Sequence, residues 1–152
     1  MADKSAIGRT GEPFTMPIEW GKVREFARAI KDPNPAYFDP ELARREYGGV
    51  PIPVTFLMTS AFWQDERSMP AVQFDLGRVL HGEQEFELLK PIYVGDVLTG
   101  VTRVADVYEK PGGRGGVMTF TVLETRYTNG KGEQVAVARS VILETGQTVN
   151  SA

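Results

Sequence analysis

The side chains that could transfer protons or bind a substrate stand in two short stretches of this chain. The first, Asp32-Pro33-Asn34-Pro35-Ala36-Tyr37, holds a carboxylate, an amide and a phenol. The second holds His81, the single histidine, followed by Gly82. Imidazole is the side chain whose reference pKa lies near neutrality, so His81 is a candidate for proton transfer. A lone histidine on a strand is also commonly structural, and both interpretations stay open.

The composition argues against several other kinds of chemistry. The chain has no cysteine and one histidine, so we expect no thiolate nucleophile, no disulfide framework and no metal site. The glycine-rich stretch 112–116 lacks the strand–helix context of a phosphate loop, and we expect no cofactor. The net charge of −3, without a basic run, argues against nucleic acid as a partner.

A helix and a proline-rich loop position the first stretch. An apolar stripe at helical spacing predicts a helix from about residue 19 to residue 30. Pro33 disfavours helical geometry at Asp32, so the helix is predicted to end there. A second, short helix is predicted over residues 40–47, with Asp39 as its N-cap.

An apolar segment and a set of strands make up the remainder. Residues 54–63 are apolar nearly all round, which predicts a helix buried on every side. Four strand-like runs follow, as an antiparallel meander, at about 78–89, 96–109, 116–128 and 133–145. A sheet that buries one face needs a cover, and the apolar helix is the obvious one. The predicted class is therefore α+β, a hot-dog fold in which an antiparallel sheet wraps around a long central helix.

The domain organisation follows from the same pass along the chain. Residues 1–12 are expected to be a flexible arm, residues 13–146 a single domain and residues 147–152 a tail. The N-terminus has no apolar stretch of signal-peptide length, and no stretch is long enough to span a bilayer. We therefore expect a cytoplasmic protein that does not enter the membrane.

Two motifs resemble those of the MaoC-like dehydratases and (R)-specific enoyl-CoA hydratases. Residues 26–37 resemble that family's helix ending in Asp-x-Asn-Pro-x-His. Residues 86–96 resemble its Phe-x-x-x-x-Pro-x-x-x-Gly-Asp segment. The resemblance extends over about residues 14–146. It implies a hot-dog dimer that adds water to an enoyl thioester of CoA or acyl carrier protein, or removes it from the (R)-3-hydroxyacyl form.

The resemblance also implies site residues, and the chain departs from the family at two of them. Asp32 matches the family's catalytic Asp, but the His position holds Tyr37, a phenol with a reference pKa of about 10. The family's Ala-His-Gly helix entry is replaced by Ile52-Pro53-Val54, and Pro53 has no N–H to donate. His81 could replace the missing base if the fold brings it near Asp32. The substrate-binding candidates are Asn34, Tyr37, Val54, Phe56 and Gly82.

These departures leave three functions open. The chain resembles the non-catalytic, FAS1-like dehydratase subunits, which hold part of the acyl chain while a catalytic MaoC-like subunit supplies Asp and His. The first function is that of such a subunit in a heterodimer. The second is a self-sufficient homodimeric hydratase or thioesterase, with Asp32 or Glu83 as the thioesterase carboxylate. The third is a non-enzymatic acyl-CoA binding module. For Asp32 and Asn34, a purely structural role in the loop is the alternative to a role at the site.

Overall fold

Residues 3–112 and 116–146, the part that the computed structural model describes, form a five-stranded sheet covered by helices. The α-helices are α1 (Trp20–Ala29) and α2 (Pro40–Tyr47). The strands are β1 (Phe14–Pro17), β2 (Val79–Leu88), β3 (Val97–Pro111), β4 (Val117–Thr128) and β5 (Gln134–Glu144). Short 3-10 helices span Lys4–Ala6, Pro35–Tyr37, Phe56–Trp63 and Glu66–Ser68.

Both α-helices form where their sequence predicts them. The apolar stripe of α1 faces the core, with Val23 and Ala27 fully buried. Asp39 caps α2, because its carboxylate accepts hydrogen bonds from the backbone N–H groups of Glu41 (3.0 Å) and Leu42 (3.1 Å). Gly48 ends this helix with a left-handed φ of 85°, which glycine adopts without steric cost.

The sheet has the strand order β1-β3-β4-β5-β2, and every neighbouring pair is antiparallel. The strands β3, β4 and β5 form the predicted meander. The predicted position of the first long strand is wrong, because β2 pairs with β5 at the far edge instead of with β3. The short strand β1, which the sequence analysis missed, forms the other edge. It has four residues and ends in a proline, too little for a periodic pattern.

Residues 54–63, called the central segment below, differ most from their prediction as a helix buried on every side. Residues 56–63 form a 3-10 helix of eight residues, with i→i+3 hydrogen bonds such as Phe56 N–H to the Pro53 carbonyl (2.9 Å). The prediction that this segment is buried on every side is also wrong. Val54, Met58 and Phe62 are exposed by 64%, 47% and 85%, because the sheet covers one side of the segment alone. These three residues are called the apolar strip below.

The core lies between the central segment, α1 and the sheet. Phe56 is fully buried and meets Phe26 of α1 edge to face, with ring centroids 5.5 Å apart. From the sheet, the hydroxyl of Tyr127 donates a hydrogen bond to Ser60 of the central segment (3.0 Å). The sheet face that carries Tyr127 is called the inner face. The outer face carries Glu124, which lies between Arg103 and Arg139 on the neighbouring strands.

The N-terminal arm is docked on the sheet. Backbone hydrogen bonds join Gly8 N–H to the Val104 carbonyl and Gly11 N–H to the Thr102 carbonyl, both at 2.9 Å. Ala6 is buried against a small apolar cluster that includes Val104. Residues 3–11 therefore lie along β3. The predicted tail, residues 147–152, lies outside the described residues, as do residues 113–115 of the glycine-rich stretch.

Gly100 is needed where β1 meets β3. A Cβ atom at this position would overlap the ring of Phe14 on the paired strand. We expect Gly100→Ala to lower the free energy of unfolding by about 2 kcal/mol, because the ring would have to leave its rotamer or β1 would have to shift. Urea unfolding followed by circular dichroism measures this change. The matched control is Gly21→Ala on α1, where a Cβ meets nothing within 4 Å and should stabilise the helix.

Candidate functional site

The loop after α1 is built by its own polar groups. The Asp32 carboxylate accepts a hydrogen bond from Asn34 N–H (3.1 Å), and the Asn34 side chain accepts one from Ala36 N–H (3.0 Å). Asp32 N–H also reaches back to the Ala27 carbonyl (2.9 Å), which closes the end of the helix. Asp32 and Asn34 therefore have the structural roles in this loop that their residue types favour.

Lys31, at the start of this loop, has a backbone conformation that normally favours glycine. Its φ of 58° is the left-handed value at the C-terminal end of α1. A residue with a Cβ pays a steric cost in this region, so we expect Lys31→Gly to raise the free energy of unfolding by about 1 kcal/mol. Chemical denaturation of both proteins gives the difference. Lys31→Ala is the control, because alanine removes the charge and keeps the Cβ; a gain from that variant too would contradict the explanation by strain.

Tyr37, at the family's histidine position, is buried in the core, near enough to Asp32 to be influenced by its charge. Its side chain is 7% exposed, and its carbonyl accepts a hydrogen bond from the indole N–H of Trp20 (2.9 Å). Burial first, and then the negative charge of Asp32, raise the pKa of the Tyr37 phenol above its usual value. The phenol therefore stays protonated at neutral pH.

The entry to the central segment places Val54 and Phe56 on opposite sides. Pro53 is fully buried, and Ile52 before it donates a backbone hydrogen bond to the Ile92 carbonyl (3.2 Å). The Val54 side chain is exposed as part of the apolar strip, whereas the Phe56 side chain is buried in the core. Phe56 shares one apolar cluster with Tyr37. The loop after α1 and the central segment therefore pack into the same part of the core.

His81 and Gly82 lie elsewhere, on the edge strand β2. The pairing of β2 with β5 shifts register between His81 and Glu83, so Gly82 is the bulge residue. His81 is exposed, and its Nε2 lies 3.2 Å from Oε1 of Gln84. Among the described contacts, none joins His81 to Asp32. His81 and Asp32 therefore do not form a direct dyad within the chain.

A cavity of about 130 Å³ separates the central segment from the inner face of the sheet. Its polar lining includes Ser60 of the central segment and Thr102, Thr125, Ser140 and Gln84 of the sheet. The sequence analysis missed these residues. The one available signal was the row of threonines at alternate positions of β4, which hydrophobicity alone places toward solvent.

His81 connects to this cavity through hydrogen bonds. The Gln84 amide oxygen accepts from the Ser140 hydroxyl (2.5 Å) and also faces His81 Nε2 (3.2 Å). Within residues 3–112 and 116–146, no group of three acidic, histidine or cysteine side chains is arranged to hold a metal ion. No helix in the same part of the chain is long and apolar enough to cross a membrane.

Sequence comparison identifies relatives over nearly the whole chain. The family model described as "FAS1-like, dehydratase domain region" matches residues 5–138. A UPF0336 protein of Saccharopolyspora erythraea is 36% identical over 149 residues, which cover 95% of this chain and 92% of that protein.

Solved structures of dehydratases are also similar to this chain. A MaoC-like dehydratase superposes with a TM-score of 0.80 at 25% identity; the match covers 93% of this chain and 43% of that longer chain. The truncated HadBC (3R-hydroxyacyl-ACP dehydratase) complex of Mycobacterium tuberculosis superposes with a TM-score of 0.68 at 27% identity, covering 88% and 95%. The fold of this chain is that of the MaoC-like hot-dog proteins, and the chain belongs to the FAS1-like dehydratase domain family.

Proposed function

We propose that this chain is the substrate-binding, non-catalytic subunit of an acyl-thioester hydratase/dehydratase and pairs with a catalytic hot-dog subunit. The observation that carries the proposal is the Tyr37–Asp32 pair. Hydration of an enoyl thioester needs a base that takes a proton from water at neutral pH. A buried phenol whose pKa is raised by burial and by the charge of Asp32 is protonated at that pH and cannot act as this base, and the Asp32 carboxylate already accepts a hydrogen bond from Asn34 N–H.

The apolar strip supports the pairing. Val54, Met58 and Phe62 expose apolar side chains, and Met58 also lines the cavity. Exposed apolar patches commonly mark sites of protein association. The edge strand β2 offers further unpaired backbone groups, which another sheet can extend. A second hot-dog subunit that covers the strip would bring its own Asp and His to the same cavity.

The test measures hydration by each subunit and by their mixture. The partner is a hot-dog subunit that carries an intact Asp-x-Asn-Pro-x-His motif, expressed with and without this chain. We expect this chain alone to be inactive toward an enoyl-CoA, and the mixture to exceed the activity of the partner alone. Phe62→Ala should weaken co-purification of the two subunits.

Two results contradict the proposal. The first is full activity of this chain alone that His81→Ala abolishes, which would indicate a complete enzyme with relocated chemistry. The second is release of free CoA from the thioester, which would indicate a thioesterase. The products distinguish the two enzymes, because a hydratase consumes the enoyl group and leaves the thioester intact. Tight thioester binding without turnover in any pairing would indicate an acyl-binding module.

A further inference from the structure

The cavity under the central segment limits the size of its ligand. Its volume of about 130 Å³ is close to that of an engineered apolar cavity of about 150 Å³ that binds benzene. A ligand group of about six non-hydrogen atoms therefore fills it. A long alkyl chain would extend beyond this cavity, and its additional methylenes would gain no burial there.

The cavity has an apolar part, lined by residues such as Leu57, Phe86 and Leu123, and a polar part that a purely alkyl pocket would lack. The hydroxyls of Thr102 and Thr125 are 2.9 Å apart on neighbouring strands, and both side chains are buried. The Tyr127 hydroxyl donates to Ser60, and the Ser140 hydroxyl donates to Gln84. Two hydroxyls that share one hydrogen bond still have a further proton and further lone pairs to offer.

The same inner face stays polar beyond the cavity. Thr119 and Thr121 follow the same side of β4, and each is 1% exposed. Their hydroxyls have no hydrogen-bond partner within the described residues. Packing a purely alkyl group against buried hydroxyls leaves hydrogen-bonding capacity unused, which costs free energy. Thr119 and Thr121 do not line the cavity, but Thr102 and Thr125 do, and a ligand that carries its own oxygen avoids the same cost beside their hydroxyls.

We infer that the cavity binds the distal end of a short acyl chain that carries an oxygen, as a hydroxyl or a keto group, beyond the carbons that react. The inference rests on the proposed function, because it takes the ligand to be an acyl thioester. The Thr102–Thr125 pair is the specificity-determining element. Its two hydroxyls lie on adjacent strands of a rigid sheet and can both donate to and accept from one ligand oxygen.

The test is direct binding to the full chain, measured by calorimetry without a partner subunit and without turnover. The probes are the CoA thioesters of hexanoate, 5-hydroxyhexanoate and decanoate. We expect the hydroxylated probe to bind about fivefold more tightly than hexanoyl-CoA, the ratio that one hydrogen bond supplies. Decanoyl-CoA should bind no more tightly than hexanoyl-CoA, although each methylene that found space would strengthen binding about fourfold.

Variants separate the hydroxyls from the shape of the cavity. The double variant Thr102→Val and Thr125→Val should remove the preference for the hydroxylated probe, whereas Thr125→Ser should keep it. Thr99→Val is the matched control, because Thr99 is exposed on the same strand as Thr102. If the double variant does not fold, Ser140→Ala is the second variant, and it should reduce the same preference.

The outcomes distinguish the inference from the proposed function. Tightest binding of decanoyl-CoA, or equal binding of all three probes, overturns the inference and leaves the subunit role intact. Failure of all three thioesters to bind overturns both. A clear preference for the hydroxylated probe in a chain that activates no partner supports the inference as a property of the cavity and refutes the subunit role alone.

Discussion

Replacing Phe56 with alanine is expected to lower the free energy of unfolding by about 3–5 kcal/mol, because the change leaves a large hole at the centre of the core. Phe56 is fully buried and contacts Phe26 edge to face. It also joins the central segment to the cluster that contains Tyr37. For a chain of this size the melting temperature should fall by roughly 10 °C. Urea unfolding and thermal scans followed by circular dichroism measure both quantities.

Phe62→Ala is the matched control, since it removes the same ring from the same 3-10 helix. Phe62 is 85% exposed, so the free energy of unfolding of the isolated chain should change by less than about 0.5 kcal/mol. Phe56→Leu should cost less than Phe56→Ala, because leucine fills most of the volume. Equal losses from Phe56→Ala and Phe62→Ala would show that the central segment does not pack as described.

The contrast between these two phenylalanines also shows what the sequence could predict. Helices α1 and α2 are local structures, and their apolar stripe, cap and glycine stop lie within a few residues of one another. The motif around Asp32 and the apolar run after Pro53 predicted the hot-dog class in the same way. An apolar run, however, contains no information on which of its sides the chain itself covers. Exposure of Phe62 depends on how far the sheet extends, which is a property of the whole fold.

The cavity could not be predicted from the sequence, for a related reason. Strand β4 alternates Met118, Phe120 and Val122 with Thr119 and Thr121, and a strand pattern gives two faces without saying which is buried. Hydrophobicity predicts that the first set is buried, yet the two threonines are the more buried side chains. On the outer face, Phe120 stacks on Tyr108 at 4.9 Å, which gives this apolar set cover without a second layer. Pairing of Thr102 with Thr125 depends on the register of two strands, which no local pattern fixes.

Acid should destabilise this protein through Glu124. This carboxylate is 4% exposed and accepts hydrogen bonds from Arg103, Arg126 and Arg139, each at 2.9 Å. Burial alone would raise its pKa, but the three guanidinium groups outweigh that effect and lower the pKa to about 2 from an ordinary 4.5. A folded-state pKa below the unfolded value means that the stabilisation is complete above pH 4.5 and is lost as the pH falls toward 2.

We therefore expect Glu124→Gln to lower the free energy of unfolding by about 3 kcal/mol at neutral pH, the free energy that corresponds to this pKa difference. The difference between wild type and variant should shrink as the pH falls from 4.5 toward 2, because wild-type Glu124 then becomes neutral as well. Urea unfolding of both proteins across this pH range measures the difference at each step.

Glu85→Gln is the control for this cluster. Glu85 binds the same arginine, Arg139, at 2.8 Å, but its side chain is 63% exposed. Water screens such a pair, so its loss should change the free energy of unfolding by less than about 1 kcal/mol and with little pH dependence. Glu124 differs because its three cationic partners come from strands β3, β4 and β5. Its charge therefore holds adjacent strands together, and a difference that stayed constant from neutral pH to pH 2 would show that packing, not ionisation, carries that effect.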